Sequence, residues 1–234
     1  MRIKLGSDPL WFAPLGFMCI QLARQPKQTW PRSRTPRKPH PFPSSAPAPT
    51  HNPFSKTFKL NTGDSIPAIG LGTWQSQPGD VGKAVEAALR HGYRHIDGAF
   101  AYGNEKEVGE GIRASGVPRG DIWLTTKLDN PWHKRVAEAI DRSLANLGTE
   151  YVDLYLMHWP ASLDPADHKK VYPDWDFVDT WREMQKLVGT GKVKNIGVSN
   201  FAIKNLERLL NDPSCKVRLA GLWRKAVLDG ADSW

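Results

Sequence analysis

From Phe58 onward, apolar runs and turn residues alternate along the chain at steady intervals. Ile69–Trp74 (IGLGTW) reads as a short apolar strand, and Asp80–His91 carries apolar residues at helical spacing. The same pair then recurs. Tyr93–Asp97 is a strand followed by a helix across Glu105–Ala114, and Ile122–Lys127 a strand followed by a helix over about His133–Leu147. Tyr151–His158 comes next, with a helix near Phe177–Val188 after a long loop, and Val193–Ser199 is followed by a helix over Ala202–Leu210. Five consecutive strand–helix units require parallel strands joined by right-handed crossovers. The strands read as apolar on both faces, as parallel strands covered on both sides are. The alternation fits either a (β/α)₈ barrel of the TIM type or a doubly wound open sheet. Gly70–Gly72 (GLG) does not continue into the GxGxxG helix start of a dinucleotide fold. Thr57–Pro67 predicts a hairpin turning at Asn61–Asp64, suited to capping the bottom of a barrel.

Composition separates this region from what precedes it. Of 234 residues, 40% are hydrophobic and 24% charged, enough apolar material for a real core. Residues 1–56 hold nine Lys or Arg against a single acid, Asp8, and so account for the whole formal charge of +8. The remaining residues carry 23 basic and 23 acidic groups, so nothing outside the extension supports nucleic-acid binding. Eleven of the 19 prolines also fall within 1–56, which predicts a disordered extension. Its apolar piece, Leu10–Ala23, has the layout of a secretory core but is interrupted by Pro14 and lacks a small-residue cleavage site. Its scattered Arg and low acid content equally suit a mitochondrial presequence, and a plain extension on a cytoplasmic protein is the third reading. No apolar run reaches the ~20 residues that span a bilayer. Two cysteines, Cys19 and Cys215, give no disulfide framework, and no Cys/His spacing suggests a metal. The division expected is 1–56 extension, 57–212 barrel portion and 213–234 divergent tail.

Proton-handling residues collect where strands finish. Asp97 ends the second strand, Lys127 the third and His158 the fourth, while Tyr102 lies five residues past Asp97. Carboxyl ends of parallel strands share one rim, so an acid, an amine, an imidazole and a phenol converge on one mouth. A free tyrosine has a pKa of ~10, too high for an efficient general acid at neutral pH. Lys127 could lower it, Asp97 could keep Lys127 charged and aimed, and His158 could orient a carbonyl oxygen. Such a set suggests protonation of a carbonyl oxygen as hydride reaches its carbon, which needs a nicotinamide or flavin. Each residue also has a bland reading: a turn aspartate, a solvated lysine, a loop-closing histidine, a packing tyrosine at a helix start. Position alone leaves both readings open.

The wording around these residues adds to the positions. GYRHIDGAFAYGNEKEVG (Gly92–Gly109) resembles the first signature of the aldo-keto reductases, and LTTKL, LYLMHWP and KVKNIGVSNF resemble that family's third-, fourth- and fifth-strand motifs. FKLNTGDSIPAIGLGTW resembles its opening hairpin and first strand, particularly in fungal and yeast-like reductases. The resemblance implies a TIM-type barrel and an NADP-dependent reductase of aldehydes or ketones, with no nucleic-acid or membrane partner, and a monomer if folded. It casts Tyr102 as proton donor, Lys127 as its pKa-lowering partner, Asp97 as the lysine's anchor and His158 as the substrate-orienting group. Ser199 and Asn200 would bond the nicotinamide carboxamide. Gly72, Thr73, Trp74 and Asp97 would approach the cofactor, and Trp74, Trp159 and His158 would line the substrate pocket. Gly98 departs locally from the pattern, standing where relatives often carry Thr, Cys or Ser.

Beyond Leu210 the resemblance stops. RLAGLWRKAVLDG does not match the family's sixth strand, and Leu219–Leu228 reads as a short amphipathic helix or unrelated tail. About five of eight strand–helix units are recognisable, without the family's adenosine-phosphate loop or nicotinamide-stacking tyrosine. A shortened relative without independent catalysis, or a binding module built on the fold's first half, is therefore the alternative to an active reductase. A charge-assisted hydrogen bond is worth about 1.5–3 kcal/mol, so losing two or three such contacts weakens affinity by several orders of magnitude. The 234-residue chain is accordingly expected to bind NADPH far more weakly than a full-length relative in a fluorescence titration. Low-micromolar binding by a stable monomer would overturn this expectation.

Overall fold

The computed structural model describes residues 18–21, 56–215 and 221–223. The expected hairpin forms from β2 (Thr57–Lys59) and β3 (Ser65–Pro67), antiparallel with Phe58 opposite Ile66. Its turn falls at Asn61–Asp64, closed by Leu60 N–H donating to the Asp64 carbonyl at 2.7 Å. The repeating units follow as β4 (Ile69–Gly72), α1 (Val81–Arg90), β5 (His95–Asp97), α2 (Glu105–Ser115), β6 (Trp123–Leu128), α3 (Val136–Leu147), β7 (Val152–Met157), α4 (Phe177–Leu187), β8 (Val193–Ser199) and α5 (Ile203–Asn211). Boundaries differ from the sequence reading by a few residues, most at α3, whose lead-in includes a 3₁₀ turn at Asn130–Trp132.

Strand order decides between the two architectures. β4 through β8 lie side by side in chain order, all parallel. A doubly wound sheet would reverse direction at a switch point, and none occurs here. The fold is a partial TIM-type barrel.

Two short strands extend the sheet where the sequence predicts otherwise. Met18–Gln21 (β1) pairs parallel with β4, Met18 opposite Ile69, so the extension is not wholly unpaired. This piece is free of proline, and an open strand edge offers backbone partners to any proline-free segment. The rest of the extension, through residue 55, lies outside the described residues. At the other edge Gly221–Trp223 (β9) pairs parallel with β8, within the stretch Leu219–Leu228 that reads as a short amphipathic helix or an unrelated tail; the rest of that stretch lies outside the described residues. Pairing with the edge of β8 outweighs the local helical pattern of so short a segment.

The sheet's outer face carries the main core. Ile96, Leu124, Tyr155, Met157, Ile196 and Val198 pack against helix residues such as Val85, Leu89, Ile140, Trp181 and Met184. Those helices approach closely. A Cβ on Gly109 of α2 would lie 2.1 Å from the Leu147 carbonyl oxygen at the end of α3, so only glycine fits.

The inner face corrects the expectation of strands apolar on both sides. Near the hairpin it is apolar, with Trp123, Leu154 and Leu156 packed on Leu60, Ile66 and Phe58. Elsewhere buried His95, Thr125, Lys127, Asn195 and Ser199 alternate with the outward apolar residues. These groups are held by one another: His95 Nε2 lies 3.2 Å from Thr125 Oγ1. Asn195 Nδ2 donates to the Asp64 carboxylate (2.7 Å) and the Asp153 carbonyl (3.1 Å), while Asn195 Oδ1 accepts from Thr62 (2.7 Å). One side chain of β8 thus ties the hairpin to the sheet. No helix among the described residues is long and apolar enough to cross a membrane.

Gly109→Ala should lower the urea midpoint, destabilising the fold by about 1–3 kcal/mol through overpacking against Leu147. An unchanged midpoint would show that α2 and α3 can separate freely.

Candidate active site

Three adjacent strands deliver the candidate chemistry to one rim. Asp97 is the last residue of β5, Lys127 the penultimate residue of β6, and His158 follows directly after β7. Tyr102 closes a 3₁₀ turn, Phe100–Tyr102, and Gly103 at φ 69° then redirects the chain into α2. His158 thus sits just past the strand that the sequence pattern extends to include it.

Lys127 is the hub. Its side chain is 1% exposed, and its Nζ donates to Asp97 Oδ1 at 2.7 Å, to the Gly98 carbonyl at 2.8 Å and to Tyr102 Oη at 3.3 Å. Those three acceptors match the three hydrogens of an ammonium. Burial on its own would push the lysine pKa down, but the Asp97 carboxylate and the Tyr102 oxygen outweigh it and hold Lys127 above the ordinary range. Lys127 therefore stays charged at neutral pH.

The other groups surround this ammonium. The His158 ring meets the Tyr102 ring edge-on, centroids 5.6 Å apart, and lies 6.3 Å from the Trp159 ring. Burial, with the Lys127 charge second, lowers the His158 pKa to about 4, so the imidazole is neutral at physiological pH. Gly98, the departure from the family pattern, has room for a Cβ: its nearest neighbours would be the Thr125 carbonyl at 3.6 Å and Thr73 Oγ1 at 3.7 Å. What the site uses at this position is the backbone carbonyl.

The candidate cofactor residues border the same rim. Gly72 ends β4, and Thr73 follows with its N–H (3.1 Å) and hydroxyl (3.3 Å) both directed at the Asp97 carbonyl. Trp74 and Trp159 expose 40% and 48% of their surfaces, unusual for residues of this size. Ser199 ends β8, fully buried, and Asn200 adopts a left-handed backbone at φ 60°. Asn200 Nδ2 donates to the His158 carbonyl at 2.9 Å and to Ser199 Oγ at 3.1 Å. Both amide hydrogens are spent, leaving Asn200 Oδ1 to accept and the Ser199 hydroxyl to donate. A primary carboxamide needs an acceptor and a donor of this kind, so the pair is able to bind one.

Three contributions escape the sequence reading. The Gly98 carbonyl and the link from Asn200 to His158 are backbone contacts that side-chain patterns do not encode. Asn104, just before α2, donates its Nδ2 to the Thr73 carbonyl at 2.8 Å; an asparagine before Glu105 signals only a helix cap. Among the described residues no group of His, Cys, Asp and Glu could hold a metal ion.

Residues 68–222 match the aldo/keto reductase family, and the chain belongs to it. It is 51% identical over 180 residues to glycerol 2-dehydrogenase (NADP(+)) of Saccharomyces cerevisiae, covering 70% of this chain and 57% of that protein. It is 49% identical over 168 residues to D-galacturonate reductase of Hypocrea jecorina, covering 66% of this chain and 54% of that protein. Among solved structures it is similar to the aldose reductase of Schistosoma japonicum, with a TM-score of 0.67 and 41% identity over 73% of this chain and 60% of that one. The chain spans little more than half the length of the curated relatives it matches.

Followed by NMR in the folded chain, the His158 imidazole should remain neutral until the pH falls to about 4. Because its folded pKa lies below the unfolded value of 6.5, its contribution to stability is complete above pH 6.5 and is lost as pH falls through 4. A titration midpoint near 6.5 would contradict the burial described.

Proposed function

We propose that this chain carries the proton-transfer half of an NADP-dependent reductase that converts aldehydes or ketones to alcohols. The observation that carries the reading is the triple engagement of Lys127, whose buried ammonium bonds Asp97, the Gly98 carbonyl and the Tyr102 phenol together. A cation at hydrogen-bond distance favours the ionised phenol, making Tyr102 a better acid than a free tyrosine. Its Oη delivers the proton to the substrate oxygen as the carbonyl carbon is reduced, and the resulting phenolate is stabilised by the ammonium beside it.

His158, neutral above pH 4, donates a hydrogen bond to the same oxygen and fixes the carbonyl's direction. The exposed indoles of Trp74 and Trp159 offer apolar walls for the carbon chain of a small substrate. Ser199 and Asn200 would hold the carboxamide end of the cofactor, and Gly72 and Thr73 would border it from β4. NADPH, when bound, would supply the hydride that no side chain can provide. That one relative is named for NADP(+), and others for reductase activity, supports this cofactor and a carbonyl substrate.

In steady-state assays of the full chain with NADPH and an aldehyde, Tyr102→Phe should lower kcat by roughly 10²–10⁴-fold, the worth of a positioned acid. Lys127→Met should also lower it, by removing the charge that favours the phenolate. Wild-type turnover in Tyr102→Phe would overturn the proton-donor role.

A further inference from the structure

We infer that Asn104 is a positioning residue: it braces the loop bearing Tyr102 against the end of β4, through the Thr73 carbonyl, and so fixes the phenol against Lys127. The inference deepens the proposed reductase reading and rests on it. Asn104 occupies the N-cap position of α2, where asparagine ordinarily accepts a hydrogen bond from the first turn of its own helix. Here the side chain makes no cap bond. It reaches across the rim, and Nδ2 donates to the Thr73 carbonyl at 2.8 Å. The amide orientation is set by that contact, since a flipped amide would bring two carbonyl oxygens together. Its Oδ1 is buried and has no hydrogen-bond partner, a cost that a cap bond would have avoided.

The contact closes a circuit. Thr73 directs its N–H and hydroxyl at the Asp97 carbonyl, Asp97 receives Lys127, Lys127 reaches Tyr102, and Tyr102 lies two residues before Asn104. The helix start is fixed separately on its other side, where buried Glu105 accepts from Thr126 Oγ1 (2.7 Å) and Asn146 Nδ2 (3.1 Å). Glu105 therefore anchors α2 to β6 and α3, whereas Asn104 alone of the two holds the turn toward β4. The same carbonyl precedes Trp74, so the brace also sets the spacing between the proton donor and one pocket wall.

Two substitutions separate bracing from folding. Asn104→Asp and Asn104→Ser are both strong N-caps and should preserve or strengthen the start of α2. Neither can make the brace: an aspartate would face the Thr73 carbonyl with a second acceptor, and a serine is too short. The experiment compares thermal unfolding, kcat and KM with NADPH and an aldehyde, and the Tyr102 phenol titration by ¹³Cζ-tyrosine NMR, assigned with Tyr102→Phe. The expected result is an unfolding temperature equal to or above wild type and a kcat lowered about 10- to 100-fold, since small misplacements of reacting groups cost that much. The carbonyl KM should change much less, because proton delivery is made only in the transition state. The phenol midpoint should rise by about one pH unit, tenfold in its ionisation constant, as Tyr102 drifts from the ammonium. The phenol titration needs no turnover. A shifted midpoint in a chain without reductase activity would uphold the brace and refute the reductase reading. A wild-type midpoint in a folded variant would overturn the brace whatever the activity, and unfolding of both variants would overturn it by making Asn104 a folding residue.

Discussion

A lysine ammonium buried in a protein interior is tolerable only if every one of its hydrogens meets an acceptor and its charge meets an opposite one. Lys127 sets that condition for the whole rim of this barrel portion. Asp97 must end β5 at the right height to present its carboxylate, the chain after it must turn so that the Gly98 carbonyl faces inward, and the Phe100–Tyr102 turn must bring the phenol over. Removing one partner of such a buried pair typically costs about 3–5 kcal/mol, so the geometry that serves the chemistry is also geometry the fold cannot easily abandon.

The barrel architecture makes this possible because it divides the work between two faces of one sheet. The outer face is mainly apolar and supplies the packing against the helices, with the Thr126–Glu105 hydrogen bond as a polar contact within it. The inner face carries polar groups as well, each held by a hydrogen-bond partner. The hairpin packs with Trp123, Leu154 and Leu156 in one apolar cluster. Asn195 ties the hairpin to β8, His95 lies beside Thr125, and Asp97, Lys127 and Ser199 stand at or near the carboxyl ends of their strands. The strain of the site is local: Asn200 and Gln75 are the non-glycine residues at positive φ among those described, and each directly follows a residue proposed to line the cofactor or substrate site.

Much of this was legible from the residue pattern. The five strand–helix units and the hairpin appear where period and turn chemistry put them, because both signals are local. The four proton-handling residues were legible for a different reason: parallel strands bring their carboxyl ends to one rim, so sequence position at a strand end translates directly into spatial neighbourhood. The resemblance to the aldo-keto reductases identified the same four. The polar inner face was less legible, since a lone His, Thr or Asn within an apolar strand gives no sign of the partner that will satisfy it. Segments at the sheet's edges were misread in kind. Met18–Gln21 and Gly221–Trp223 join strands because an edge offers them backbone partners, not because their own composition demands it.

The sequence by itself determined the order and type of the central elements, the confinement of excess charge to residues 1–56, and the residue types available at each strand end. These depend on side-chain chemistry and spacing along one segment at a time. Tertiary structure alone decided that the strands run in chain order rather than reversing, that Lys127 spends one hydrogen on a glycine carbonyl, and that the amides of Asn104 and Asn200 reach the Thr73 and His158 carbonyls on other elements. Each of these is a contact between backbone or amide groups on separate elements, and its identity is fixed only when packing brings those elements to within hydrogen-bond distance.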